Sequence, residues 1–368
     1  TGTATIPVDN LDTQMIQPWV YFPQFDPQPA STAVSWMGNV KKFSSETGVL
    51  KDRDNKAVMS KEGILADDVY DFWADPAIIK EITKGSGANA ETIRVKLGGT
   101  LSKVKLGTTI SPFVERKIYT DRAKITISGA ESSATTVKKG DLNLLVAKDL
   151  YESNATNNFV QDKKRGYLAA LFGFDISKTM ASALTISTSD TPHTNFKNFI
   201  TNQNNAKLRQ MGAVMHSKPL LITQSGTTSY TAATDTLTYT NRDDLIVFGS
   251  TAGLLHVVKA GNNENGYSGG AGEEIFVFAP SELIDKQPQA FLNNKEQAGE
   301  LHYGIDGPWT AYTEYVTKGT GTNPEVTVKG GKQWLYGGLR MGGRSYYALD
   351  LSDVTSSTGT PKIKFKID

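Results

Sequence analysis

Apolar residues fall in short blocks separated by turn residues, and their spacing changes along the chain. Five prolines interrupt the stretch from Pro7 to Pro29, so the blocks around Trp19–Phe22 and Ser35–Gly38 predict short strands on irregular connections over residues 17–40. Asp52, Arg53, Asp54 and Asn55 read as a turn. Residues 67–84 allow a short helix at best, broken at Asp75–Pro76. Ile93, Val95 and Leu97 alternate with Arg94 and Lys96, and Ile125 and Ile127 continue the period-two pattern, which predicts half-buried antiparallel strands. Residues 142–171 carry the apolar set that best suits a helix, from Leu142, Leu144 and Leu145 to Leu168 and Leu171. Residues 182–208 are rich in Ser, Thr and Asn and read as a loop or linker.

From Met211 onward one unit recurs: apolar strand, Gly turn, second strand, polar turn, third strand. It runs first through Asp244, Gly249, Gly253 and Val258 to Phe278, and again through Lys332, Gly338, Gly343 and Asp350 to Lys366. Such units are how propeller blades read in sequence. The predicted class is mainly β: a modified β-propeller over residues 211–368, after a β-rich region with a short helical segment over residues 1–210. Two copies are visible, whereas a propeller takes at least about four blades, so the expectation is an incomplete portion of a longer protein. The start at Thr1 rather than Met points to processing.

Composition narrows the function classes. Lys and Arg total 39 against 38 Asp and Glu, a net charge of +1, and charged residues are only 21%. That balance lacks the basic excess of a general nucleic-acid binder. No apolar stretch is long enough for a membrane-spanning helix. The absence of cysteine excludes disulfides, thiolate metal sites and thiol catalysis.

Candidate chemistry is sparse. Residues 338–345 nearly match a phosphate-binding loop with Arg344 in the Lys position, but an alternating strand follows where a helix is required, which favours a hairpin turn. Residues 269–273 resemble half of a calcium nonapeptide, with Glu273 where Asp belongs. Asp52, Asp54 and Asn55 offer oxygens at calcium-loop spacing, without the loop glycine or the closing glutamate; the competing reading is a surface turn. His193, His216, His256 and His302 are scattered, and His256 is expected to pack inside a strand. Trp309, Tyr312, Tyr315 and Trp334 are either a ligand-stacking surface or blade-core packing. Loop length adds Asn262, Asn263 and Tyr267 as contact candidates beside Trp309 and Tyr312.

Several segments, taken in order, resemble the PilC/PilY family of type IV pilus biogenesis factors and tip adhesins. They include Trp36 to Phe43, Gly48 to Asp54, Asp71 to Trp73, Met211 to Ile222, Phe248 to His256, Gly272 to Ser281 and Tyr303 to Pro308, and end with Gly337–Gly338, Gly342–Gly343 and Ala348 to Asp350. The resemblance implies a modified propeller, exported to the bacterial outer membrane or pilus tip. It further implies opposition to pilus retraction, partnership with minor pilins and attachment to a host cell-surface receptor, without enzymatic activity. Many members carry an Asp-rich calcium loop in the propeller; none is visible after Met211, so calcium is a candidate ligand with no clear motif here. The Asp-x-Ser-x-Ser metal motif of some members is absent. Two rivals remain: a carbohydrate-binding propeller, and a quinoprotein dehydrogenase, which the missing cysteines and missing regular Trp repeat disfavour.

Overall fold

The computed structural model describes residues 3–27, 34–66, 69–74, 98–108, 115–128, 131–134, 141–152, 159–184, 191–261, 270–293, 299–354 and 359–368. Ile93, Val95 and Leu97 lie outside them. The fold is mainly β. In the first half, β1 (Trp19–Phe25) pairs antiparallel with β2 (Gly38–Ser44), followed by a short helix α1 (Gly99–Lys103). Then come β3 (Ile118–Thr120), the ribbon of β4 (Ile125–Ser128) with β5 (Glu131–Ala134), and β6 (Asn143–Leu145). Helices α2 (Arg165–Ala170), α3 (Lys178–Ala183) and α4 (Thr191–Thr201) close this half.

Two expectations are corrected here. Residues 142–171 are not one helix. Asn143–Leu145 is a strand paired with Ile118–Thr120, and α2 is buried along its whole length, so its apolar residues carry no one-sided helical period. The stretch 182–208 is not a linker. Ser177 caps α3 by accepting the Met180 N–H, and α4 begins with Pro192 in its first turn and buries His193, Phe196 and Ile200 along one face. Three inward positions in a polar sequence suffice, because tertiary packing supplies most helix stability.

The second half begins with β7 (Leu220–Thr223), the hairpin β8 (Ser225–Thr231) and β9 (Thr236–Thr240), then β10 (Asp244–Gly249), β11 (Leu255–Lys259) and β12 (Glu274–Phe278). Helix α5 (Ser281–Lys286) leads to β13 (Trp309–Lys318), β14 (Glu325–Gly338), β15 (Tyr346–Asp350) and β16 (Lys362–Ile367). Both recurring units are antiparallel meanders, as their spacing predicts. The turn after Gly338 joins β14 to β15 as a hairpin, not a phosphate loop.

The strands form two open six-stranded sheets. One has the order β6-β3-β12-β11-β10-β7, with β3 parallel to β12; the other runs β16-β15-β14-β8-β9, with β13 beside β14. Strands from either side of residue 210 therefore share one sheet. The first sheet is covered on both faces. Leu245, Val247, Leu255 and Val257 pack toward the second sheet, against Trp309, Leu335, Tyr347 and Leu349. Ile246, Phe248 and Val258 pack the other way, against Tyr21, Val40 and Trp73. Burial on both faces explains why these strands read as unbroken apolar runs. Among the described residues no helix is long and apolar enough to cross a membrane.

Candidate functional site

Asp52 is buried and organises the turn named from the sequence. One carboxylate oxygen accepts the N–H groups of Asp54 and Lys56, and the other that of Tyr70, at 2.8–3.0 Å. Asn55 sits in the left-handed region at φ 65°, and its side chain accepts from Lys51 Nζ. Among the described residues no three His, Asp or Glu side chains gather as a cation site. Asn262, Asn263 and Tyr267 lie outside the described residues.

The four aromatic candidates divide between the two faces of the second sheet. Trp309 is buried over Gly337, where an added Cβ would meet the indole at 2.2 Å, and the Tyr315 hydroxyl donates to the Thr223 carbonyl on the same inner side. Tyr312 and Trp334 face outward as a tilted pair 5.8 Å apart. Tyr336 and Phe365 extend that face, 6.2 Å apart, while the Lys364 ammonium lies 4.6 Å from the Trp334 ring centroid. Phe365 and Ile367 are 42% and 59% exposed. This face offers flat rings flanked by cations, suited to a packed neighbour or a stacked ligand.

Inside the first sheet lies a polar cluster whose partners sequence reasoning did not join. Arg116 grips Glu274 with two bonds of 2.7 and 2.8 Å. Glu274 Oε1 is 2.7 Å from His256 Nδ1, and His256 Nε2 is 2.9 Å from Ser250 Oγ. Burial opposes charge on Glu274, but Arg116 and then His256 outweigh it and hold the carboxyl at about 2. Burial holds the His256 imidazole below its ordinary value despite Glu274. A neutral ring then donates from Nδ1 to Glu274 and accepts the Ser250 hydroxyl at Nε2. The order matches a nucleophile–base–acid relay. Here, however, His256 is fully buried and stacked on Phe248 at 4.9 Å, and Ser250 is buried too, so a substrate reaches Oγ only if the core opens. The strand packing expected of His256 is observed. Its signal was the hairpin itself: the Gly253 turn brings Ser250 back beside His256, and Glu274 opens the next strand.

A third place carries an open cavity of about 570 Å³ between the N-terminal segment and the β8–β9 hairpin. Arg242 spans Asp9 at 2.9 Å and Asp244 at 2.8 Å, while the Lys42 ammonium donates to the Ala260 carbonyl at 2.7 Å and lies 4.1 Å from the Trp19 ring centroid. The sequence reading passed over this region, although Thr236 to Thr240 alternates as a strand should. Comparison with protein-family models, with curated proteins and with solved structures finds no match to this chain.

Proposed function

We propose that this protein is a non-enzymatic type IV pilus assembly factor and tip adhesin of the bacterial cell surface. It opposes pilus retraction, sits on minor pilins and attaches to a host cell-surface receptor. The observation that carries the reading is that segments bearing the family resemblance, far apart in sequence, meet along one seam. Gly38 N–H donates to the Met211 carbonyl, Ala213 N–H to Trp36, Thr251 N–H to Ala213 and Ile305 N–H to Ser250, all at 2.8–3.0 Å. Trp73 Nε1 donates to Ala260, and Gly272, at φ 84°, lies against the Trp73 ring. Buried Asp306 joins His216 and Arg340, each at 2.7 Å.

The two meanders are read as consecutive propeller blades. Gly249 faces Leu255 and Gly338 faces Tyr346, so these glycines are equivalent ends of their hairpins. On that alignment Leu245 and Val247, which lie beneath the second sheet, correspond to Trp334 and Tyr336, which face outward. The open aromatic face thus occupies the position that a following blade covers in a propeller.

Pilus counts by electron microscopy on cells deleted for the gene, with and without the retraction motor, test the assembly role. The expected result is loss of pili in the first strain and their return in the second. Normal pili in both would overturn it. A carbohydrate-binding propeller is the second reading, favoured by the Tyr312–Trp334 pair; glycan-array binding that is lost in Trp334→Ala, with normal pili, would select it.

A further inference from the structure

We infer that the free edge of β9, with the cavity beside it, is a docking groove for an extended peptide bearing a basic side chain. The inference is independent of the pilus reading. Strand β9 is the last in its sheet: its register with β8 is unbroken, and among the described residues no strand pairs with its outer edge. Its sequence, Thr-Leu-Thr-Tyr-Thr, carries none of the usual guards, neither lysine nor proline nor bulge. Five successive residues, from Leu237 to Asn241, line the cavity. A cavity touched by neighbours from both strand faces runs along the edge rather than over one face. There the unpaired backbone donors and acceptors await a seventh strand, the arrangement used in β-augmentation.

The groove's chemistry specifies the guest. The cavity lies within the range of about 300–1,000 Å³ typical of ligand sites, and five residues of β9 span about 17 Å at about 3.4 Å each. Exposed Met15, Ile16 and Leu237 line it with apolar surface. Arg242 is already gripped by Asp9 and Asp244, whereas the Asp12 carboxylate meets no cation among the described residues and accepts only the Gln14 N–H. Gln17 on the same wall is buried, and its Oε1 has no hydrogen-bond partner among the described residues. Of the three rings that line the cavity, Trp19 carries the Lys42 ammonium and packs against Phe72 at 4.9 Å and Tyr21 is buried, which leaves half-buried Tyr239 on the strand itself.

The test uses the 368-residue chain and three blocked pentapeptides: Thr-Val-Lys-Val-Thr, its Glu counterpart, and the Lys peptide N-methylated at alternate amides. Titration calorimetry is paired with hydrogen exchange at Thr236–Thr240. The Lys peptide is expected to bind and to slow exchange there. Asp12→Lys should weaken it about tenfold, the loss of one charge-assisted bond, and should favour the Glu peptide instead. Leu237→Lys should block both. The inference is overturned if neither charged peptide binds, or if the N-methylated form binds equally well. It is equally overturned if the chain dimerises through β9 in a manner that Leu237→Lys abolishes, since the occupant is then a second copy. Asp12 and Leu237 are at the surface, so a circular dichroism melt matching the unchanged protein confirms that each variant is folded.

Discussion

The two antiparallel meanders, β10-β11-β12 with β7 paired beside β10 and β14-β15-β16 with β13 paired beside β14, differ in what covers them. In the first, both faces are sealed, and even its charged groups are inside: Arg116, Glu274 and His256 sit under the sheet with their partners. In the second, one face is sealed and the other presents Tyr312, Trp334, Tyr336 and Phe365 to solvent. One strand plan thus gives a doubly covered sheet or a half-open one, according to what lies above it. The difference predicts a gradient of mutational cost from the first sheet to the outer face of the second.

The largest effect belongs to Arg116→Ala. It strands the Glu274 carboxylate in the core, and removing one partner of a buried pair costs about 3–5 kcal/mol. Urea unfolding should show it as a large drop in midpoint; a change below about 1 kcal/mol would mean that water reaches Glu274. The pH dependence sharpens the same point. Glu274 ionises at about 2 in the fold against 4.5 ordinarily, so its stabilisation is complete above about 4.5 and is lost as the pH falls toward 2. His256, held below 6.5 by burial, adds in the same direction: stability declines as the pH drops through 6.5, where the unfolded chain takes up the proton first. Glu274→Gln should flatten the acid limb of the stability curve, and an unchanged limb would assign acid sensitivity to other carboxylates.

At the seam between the sheets the expected cost is intermediate. Gly337→Ala pushes a methyl group into the Trp309 ring, and overpacking a sealed core costs about 1–3 kcal/mol. Thermal unfolding of that variant, compared with Gly270→Ala, measures it, since among the described residues nothing lies within 4 Å of a Cβ at Gly270. Equal melting temperatures would show that the two sheets are free to move apart at this point.

The same contrast explains what the sequence could reveal. Strands β7, β10–β12 and β14–β16 were legible because turn glycines punctuate them and their apolar runs are strong, whereas β8, β9 and β13 lack such runs. Propensity alone missed α4, where only His193, Phe196 and Ile200 face inward, and it merged Leu145 with Leu168 into a helix that tertiary pairing divides. The Ser250–His256–Glu274–Arg116 cluster needed Arg116 brought in from the segment that leads into β3, the strand beside β12, a contact of 158 residues' separation that no local spacing encodes. The β8–β9 hairpin went unread, although Thr236 to Thr240 alternates as a strand should and follows Asp235, which has φ 49°. What no sequence pattern showed is that, among the described residues, no strand pairs with its outer edge beside a cavity.

The smallest effect, and the most informative, is expected at Phe365. Half-exposed on the outer face, it loses about 1 kcal/mol or less on truncation to alanine in this chain, because little apolar area leaves the core. Phe248→Ala, at the fully buried position of the first sheet, should cost about 3–5 kcal/mol. If the second sheet is a blade awaiting its neighbour, Phe365→Ala should become several-fold more costly in any longer form of the protein that packs another sheet on this face. A cost that stays near 1 kcal/mol there would leave the face exposed to solvent and favour the stacked-ligand reading of Tyr312 and Trp334.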